Sequence, residues 1–441
     1  MSTKKKKRKS TVRHTRAIQR DRSKRPLTPP PDEQVQQRLA ELLRPAIAAQ
    51  AALFRQLELR NRVLTLSVMV AIMVSLIWRQ IGSGGTEIAR LLRSEGLLWV
   101  PPLVVSQQAI SERLRTFPPQ LFRQVLLHVL PRLQERWRNR RRPLPPVLAW
   151  ARERYPAVLA VDGSTLDALV RKVGLLRGRQ PTPLAGKMMA VLDVASWLPR
   201  AIWYEEEATA HDQRFWPRIR QALPTGALLI LDLGFTNFQV FAQLKDVTFI
   251  TRAKRNLSFK VQKVLQRTPQ VHDLLVWIGR GGSRQLVRLV RVHYRGQWYE
   301  YLTNGLNPEA LPAAYVAALY HQRWRIEDAF NVVKRLLGLA YFWTSSSYGI
   351  QLQIWTTWLL YAVLVDLTDA VAAWLDRPFV DISLEMVYRG LYYFGQALRR
   401  GQKVELVAYL ATNADWLGLI KHKSKQRPSP ADRPGPARSP T

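Results

Sequence analysis

Two short apolar runs, each stopping at an aspartate, constrain the fold more than any other feature of this chain. VLAVDGS carries Asp162 and LLILDLGF carries Asp232. In each, aliphatic residues of strand length precede the acid, and a glycine follows closely and lets the backbone turn away. Similar strands are expected at 187–194, at 201–205 after the turn SWLPR, and at 247–251, with a helix at 213–223. This alternation is that of an α/β domain. A single aspartate after a strand is ordinarily a turn former or helix cap, so the pair alone is only suggestive.

The regions on either side differ in texture. Residues 1–31 form a basic arm, KKKKRK then RHTRAIQRDRSKRP, ending in PLTPPP, and its composition predicts disorder in the free chain. It reads equally as a solubilising tail or as a phosphate-binding arm. Residues 33–82 look helical and contain an uncharged run of 16 residues at 63–78. A membrane span needs about 20 such residues, and Arg62 and Arg79 bracket the run, which favours a buried core helix. After the break at 82–85, helices at 86–95 and from Gln107 suggest a helix-turn-helix-like reader with Gln107, Gln108, Ser111 and Arg113 facing bases. The connection between them is long for that motif, so an ordinary helical bundle fits equally. Another helix at 118–142 precedes a proline-rich linker, PLPPV. In LVRLVRVHY, residues 286–294, apolar and basic residues alternate at strand period; with the returning WYEYLT this predicts a hairpin having one apolar and one basic or aromatic face. One long helix is expected from 312 to about 337, and a Trp-rich buried one at 350–375.

The formal net charge is +35 and there is no cysteine among the 441 residues. Self-repulsion on that scale is at odds with compaction unless a polyanion is the partner. Arginines scattered through the folded part favour nucleic acid over an anionic membrane. Without cysteine, disulfides, thiolate zinc sites and cysteine nucleophiles are excluded.

Cutting or joining DNA calls for two Mg²⁺ ions about 4 Å apart, held by hard oxygen ligands, and so for acids on strand ends and one on a helix. Residues 320–334, YHQRWRIEDAFNVVK, supply the last. On a regular helix Tyr320, Arg323, Glu327 and Lys334 fall within about 60° of one another. Leu319, Ile326, Phe330, Val333 and Leu337 form an adjacent apolar stripe able to pack on a sheet. A carboxylate between Arg and Lys is held ionised, and the cations can hold phosphates. A solvated, salt-bridged helix face is the bland alternative.

Y-x2-R-x3-E-x6-K resembles the signature of the insertion-sequence-four family of DDE transposases without gap or substitution. Asp232-Leu233-Gly234-Phe235 is similar to that family's second motif, and Asp162-Gly163-Ser164-Thr165 to its first. The resemblance covers roughly residues 155–375 and, more loosely, the helical region before them. It implies an RNase H-like catalytic core with a β-rich insertion, preceded by a helical N-terminal domain; the element order above is also that of an RNase H-like sheet. The implied segments are the arm at 1–31, a DNA-binding helical domain at 32–142, the first part of the core at 143–254, the insertion at 255–310, the catalytic helix and end of the core at 311–376, a helical region at 377–420 and a disordered basic tail at 421–441. Asp162, Asp232 and Glu327 would hold two Mg²⁺ ions, with Mn²⁺ as a substitute. Tyr320, Arg323 and Lys334 would contact DNA phosphates. A flipped base would rest on an aromatic of the insertion, Trp298 or Tyr299, which cannot share a strand face; Trp298, the larger ring, is favoured and Trp324 is a second candidate. Lys187, Arg252 and Lys254 beside core strands are candidates for lining the DNA channel. Asp167, Asp193 and Asp328 are read as decoys, and His211-Asp212 as a cap of the following helix.

The expected function is a cut-and-paste DNA transposase, acting on terminal inverted repeats and target DNA as a homodimer in a synaptic complex, cytoplasmic and nucleoid-associated, with no membrane partner. A transposase-derived DNA-binding protein without catalysis is the alternative, and an anionic-membrane protein a third class.

Overall fold

A computed structural model describes residues 32–79, 81, 85–166, 186–339, 342–344 and 346–421. The basic arm at 1–31, the glycine break at 82–84, Asp167 and the tail from 422 lie outside the described residues.

One mixed sheet organises the chain. Its strands are β1 (Val158–Thr165), β2 (Lys187–Asp193), β3 (Pro199–Glu205), β4 (Leu228–Leu231), β5 (Thr248–Arg252), β6 (Phe259–Arg267), β7 (Val271–Ile278), β8 (Gln285–Tyr294) and β9 (Gln297–Thr303), in the order β3-β2-β1-β4-β5-β9-β8-β7-β6. β3, β2 and β1 are antiparallel, whereas β1, β4 and β5 run parallel. From β9 to β6 all pairings are antiparallel. The expected insertion is therefore not a separate layer: β9 pairs with β5 (Ile250↔Thr303, Thr251↔Leu302, Arg252↔Tyr301) and extends the same sheet.

Central strands are apolar throughout because both faces are covered. Val158, Ala160, Leu228 and Ile230 point into one core; Leu159, Val161, Leu229 and Leu231, one residue out of phase, point into the other. The second core is closed by α8 (Trp216–Ala222) and α9 (Phe238–Gln243). The first is closed by α10 (Ala313–His321), α11 (Trp324–Asn331), α12 (Ser347–Trp374) and the N-terminal helices: α1 (Asp32–Ala48), α2 (Ala51–Gln56), α3 (Leu66–Trp78), α4 (Gly85–Ser94), α5 (Gln107–Thr116), α6 (Pro119–Asn139) and α7 (Pro146–Arg154). α13 (Leu384–Arg399) and α14 (Leu406–Thr412) complete this layer.

The uncharged run becomes α3, 13 residues of which all but Ser67 are buried. α12 is long and apolar enough to cross a membrane, yet 89% of its most apolar stretch is buried inside the protein. Two acids in α12, Asp366 and Asp369, are almost fully buried and are met by Arg136, Arg140 and Arg142 from the end of α6 and the residues after it.

Two expectations are corrected. The single helix from 312 to 337 is broken: i→i+3 bonds at Arg323→Tyr320, Arg325→Gln322 and Ile326→Arg323 tighten the chain between α10 and α11, and residues Val332–Leu336 form a π-helical turn. The hairpin at 286–303 does not have one apolar and one basic or aromatic face, because Arg288 and Arg291, three apart in β8, point to opposite sides. Arg288 is wholly buried, its guanidinium paired with Asp273 (Nε–Oδ1 2.7 Å) and donating to Leu311 O at 2.5 Å.

Candidate active site

β1 outruns its parallel neighbour. Its pairing with β4 stops at Val161↔Leu231, whereas its pairing with β2 continues to Thr165↔Lys187. Asp162 is the first residue past that point and Asp232 the first after β4, so both carboxylates stand at the carboxyl edge of adjacent parallel strands. Crevices at that edge are where open α/β sheets place ligands. Contrary to expectation, Gly163 does not turn the backbone away; it continues β1. Its role is space: a Cβ there would lie 2.6 Å from Asp212 Oδ1 and 3.0 Å from Lys187 Cε.

Glu327 reaches the same point from α11, whose buried face (Ile326, Ala329, Phe330) fixes the helix on the sheet. The three acids meet at one guanidinium. Arg323 Nη1 lies 3.3 Å from Asp162 Oδ2, Nε 3.7 Å from Asp232 Oδ1, and Nη2 2.7 Å from Glu327 Oε1. The carboxylates are therefore drawn to a common centre that a cation already fills. Consistent with this, among the described residues no three His, Asp or Glu side chains are spaced to grip a metal ion directly.

The electrostatics follow from burial. Asp162 is pushed up to about 7, first by desolvation and then by the like charges of Asp232 and Glu327, against the pull of Arg323 and of the Gly163 N–H at 2.8 Å. Burial opposes the charge on Arg323, but Asp232, Tyr320, Asp162 and Glu327 outweigh it and its pKa is raised.

Of the other sequence candidates, Tyr320 is buried, its ring 5.2 Å from that of Tyr301, and desolvation drives its hydroxyl up to about 12. Lys334 leaves the expected helical row because it sits in the π turn; its Nζ donates to Thr165 O at 2.6 Å, at the end of β1. Trp324 is 52% exposed beneath the Arg323 guanidinium. Trp298 is exposed on the hairpin beside the rings of His272 and His293, at 4.4 and 5.1 Å, while Tyr299 packs on the main core. Arg252 is exposed at the last position of β5 and Lys254 is exposed just beyond it. Lys187 turns inward, 2.5 Å from Asp212 Oδ1 and 2.8 Å from Ala210 O.

Gln107, Gln108 and Ser111 are exposed on α5 and Arg113 is half-buried. Asp193 accepts from Ala195 N and Ser196 N in a turn. Asp328 is raised by burial beside Arg325 and Lys421, away from the acidic centre. His211 caps the turn before α8 through Nδ1 to Gln213 N at 3.2 Å. Asp212 is the residue that sequence reasoning missed. Its carboxylate lies against Gly163 and, at 3.7 Å from a Cβ there, against Gly234. It thus borders the segments carrying both Asp162 and Asp232, and nothing in its local sequence signals this.

Sheet and centre together define an α/β protein with three carboxylates gathered at the edge of a mixed sheet. Residues 158–363, which include all three acids, match the family described as Transposase DDE domain. Over 220 residues the chain is 29% identical to "Putative transposase y4zB" of Sinorhizobium fredii (strain NBRC 101917 / NGR234), covering 47% of this chain and 59% of that protein. The chain is thus similar to the DDE transposase domain over residues 158–363 and spans 59% of the length of that relative. A cryo-EM structure of the piggyBac transposase synaptic complex with hairpin DNA aligns with 89% of this chain and 84% of its own at TM-score 0.40 and 11% identity, a likeness too slight to bear on fold or function.

Proposed function

We propose that this chain is a DNA transposase of the insertion-sequence-four type, excising and inserting its element by metal-dependent phosphodiester hydrolysis and strand transfer on an RNase H-like core. The order β3-β2-β1-β4-β5, with the first three antiparallel and β1, β4, β5 parallel, supports that core. The observation that carries the reading is the meeting of Asp162, Asp232 and Glu327, from two strand ends and a helix, at one guanidinium. Their donor chemistry, carboxylate oxygen alone, suits Mg²⁺ or Mn²⁺. When bound, two such ions would activate the attacking oxygen and stabilise the departing one.

The remaining roles fall to the chain's own groups. Arg323 holds the carboxylates together and would be free to pair with a phosphate were cations bound in its place. Arg252, Lys254 and Lys334 surround the edge with positive charge for the DNA backbone, and Lys187 acts there through its pairing with Asp212. Trp298, beside His272 and His293, or Trp324, beneath Arg323, offers its remaining exposed face to an unstacked base. Residues 32–142 and 255–310 would add DNA contacts, and two copies would pair on element ends in the nucleoid.

The test is metal-dependent nicking of a linear duplex carrying the element's end. Glu327→Gln should abolish nicking while duplex affinity stays within about threefold, since one ligand is lost and little else. Retained cleavage in that variant would overturn the assignment.

A further inference from the structure

Far from the acids in sequence, α13, α14 and the residues beside them line an open depression of about 530 Å³; its lining includes Tyr393, Gln396, Arg400, Gln402, Asn413 and Trp416 and, among the described residues, no carboxylate. That volume suits a small planar ligand. Trp416 is 59% exposed and Tyr393 44%. Large rings left this open forgo the gain from burial, roughly 25 cal/mol per Å² of apolar surface.

Nor are the rings loose. Trp416 Nε1 donates to Asn413 Oδ1 at 2.7 Å, and Asn413 is itself anchored by its Nδ2 donating to Tyr409 O at 2.8 Å. Tyr393 meets Trp416 edge-on, ring centroids 5.2 Å apart at 76°, and Tyr392 meets Tyr393 in the same way. The indole is held at its edge with much of its surface open. An aromatic fixed in this way is preorganised for stacking, because little rotamer freedom remains to be lost on binding.

We propose that this pocket binds an unpaired nucleotide of single-stranded DNA, with its base stacked on Trp416. Gln396 and Gln402 supply both donors and acceptors for a base edge, and Arg400 supplies the cation for its phosphate. Exposed Arg399 and Lys403 extend the positive charge along the chain. Arg400 is the charged group among the described lining residues, with exposed Glu405 and Asp415 next to the rim, and the net charge of +35 favours a polyanion. A base paired and stacked within its helix enters such a depression only by flipping out, at the cost of its pairing and stacking, so an already unpaired base in a single strand is favoured. This rests on the DNA-acting reading above, but on a different part of the molecule from the acidic centre.

The experiment uses the full chain and fluorescence anisotropy with a labelled mixed-sequence single strand and, separately, the matching duplex. The Tyr393→Ala/Trp416→Ala double variant should bind the single strand at least about tenfold more weakly, stacking being worth about 1–3 kcal/mol per base. Its duplex affinity should stay within about twofold and its melting temperature should be unchanged. Trp416→Phe should retain most of the affinity. Irradiation of a single strand carrying 5-iodouracil should crosslink to Trp416 or Tyr393.

Equal single-strand binding by the folded double variant, with no crosslink in this pocket, would overturn the proposal. So would wild-type protein that binds duplex but not single strands, which leaves the transposase reading intact; failure to bind either form removes both. A labelled peptide of residues 427–440, RPSPADRPGPARSP, that binds in a Trp416-dependent way where the single strand does not would give the pocket to a proline-rich segment and likewise overturn the proposal.

Discussion

Asp162 holds the sharpest consequence at the scale of single residues. Its folded-state pKa of about 7 exceeds its ordinary value of 3.8 because the site desolvates it. The folded chain therefore keeps a proton that the unfolded chain gives up between those values. The stability that Asp162 contributes in chelator is fully present below about pH 4 and is lost as pH rises toward 7, by at most about 1.4 kcal/mol per pH unit. Asp162→Asn should flatten that part of the pH–melting profile and abolish nicking; an unchanged slope would mean that the carboxyl is not buried as described. The acids themselves were legible because each follows a strand-length apolar run or lies in a four-residue signature. The pairing of Lys187 with Asp212 was not, because Asp212 follows a histidine in an irregular turn and only the fold brings it against Gly163. Loss of that pair in Lys187→Met should lower the nicking rate more than it weakens duplex binding, and equal losses in both would make Lys187 a simple phosphate contact.

Elements of secondary structure show where periodicity misleads. The expected division of β8 into one apolar and one basic or aromatic face fails because Arg288 and Arg291, three apart, point to opposite sides of the strand; Arg288 lies inside, tying β7 and β8 to the loop before α10 through Asp273 and Leu311 O. Pattern cannot tell an exposed arginine from one with a buried partner on the next strand. Removing one member of a buried pair strands the other charge, so Arg288→Ala should cost about 3–5 kcal/mol by denaturant unfolding. The same holds for Asp369→Ala in α12, where Arg142 would lose its carboxylate while Arg140 keeps Asp366. A loss under about 1 kcal/mol in either variant would contradict the buried pairing. The break between α10 and α11 was likewise invisible, since no proline or glycine marks it; the tightened turn appears only as i→i+3 bonding around Arg323.

Across the whole molecule, the alternation of apolar strand-length runs with helices pointed to a mixed α/β chain, which the sheet and helices bear out, and left open how its parts join. One core runs from the N-terminal helices through α12 to α14, so the helical region before the sheet is packed into the whole. Charge belongs to this scale too. Duplex affinity should fall linearly with the logarithm of salt, with a slope of about 0.9 per phosphate neutralised. Deleting residues 1–31 should lower that slope by several units without abolishing nicking at low salt. An unchanged slope would leave the arm no part in binding.

The seam between β5 and β9 has only three rungs, the last joining Arg252 to Tyr301. Tyr301 touches Tyr320, and β5 lies one strand from the acid at the end of β4. The hairpin bearing Trp298 is thus geared to the acidic centre rather than hung beside it. A load that rolls the hairpin must either shear those few rungs or twist the strands next to Asp232, and where the sheet yields decides whether a grip on DNA at one end is felt at the other.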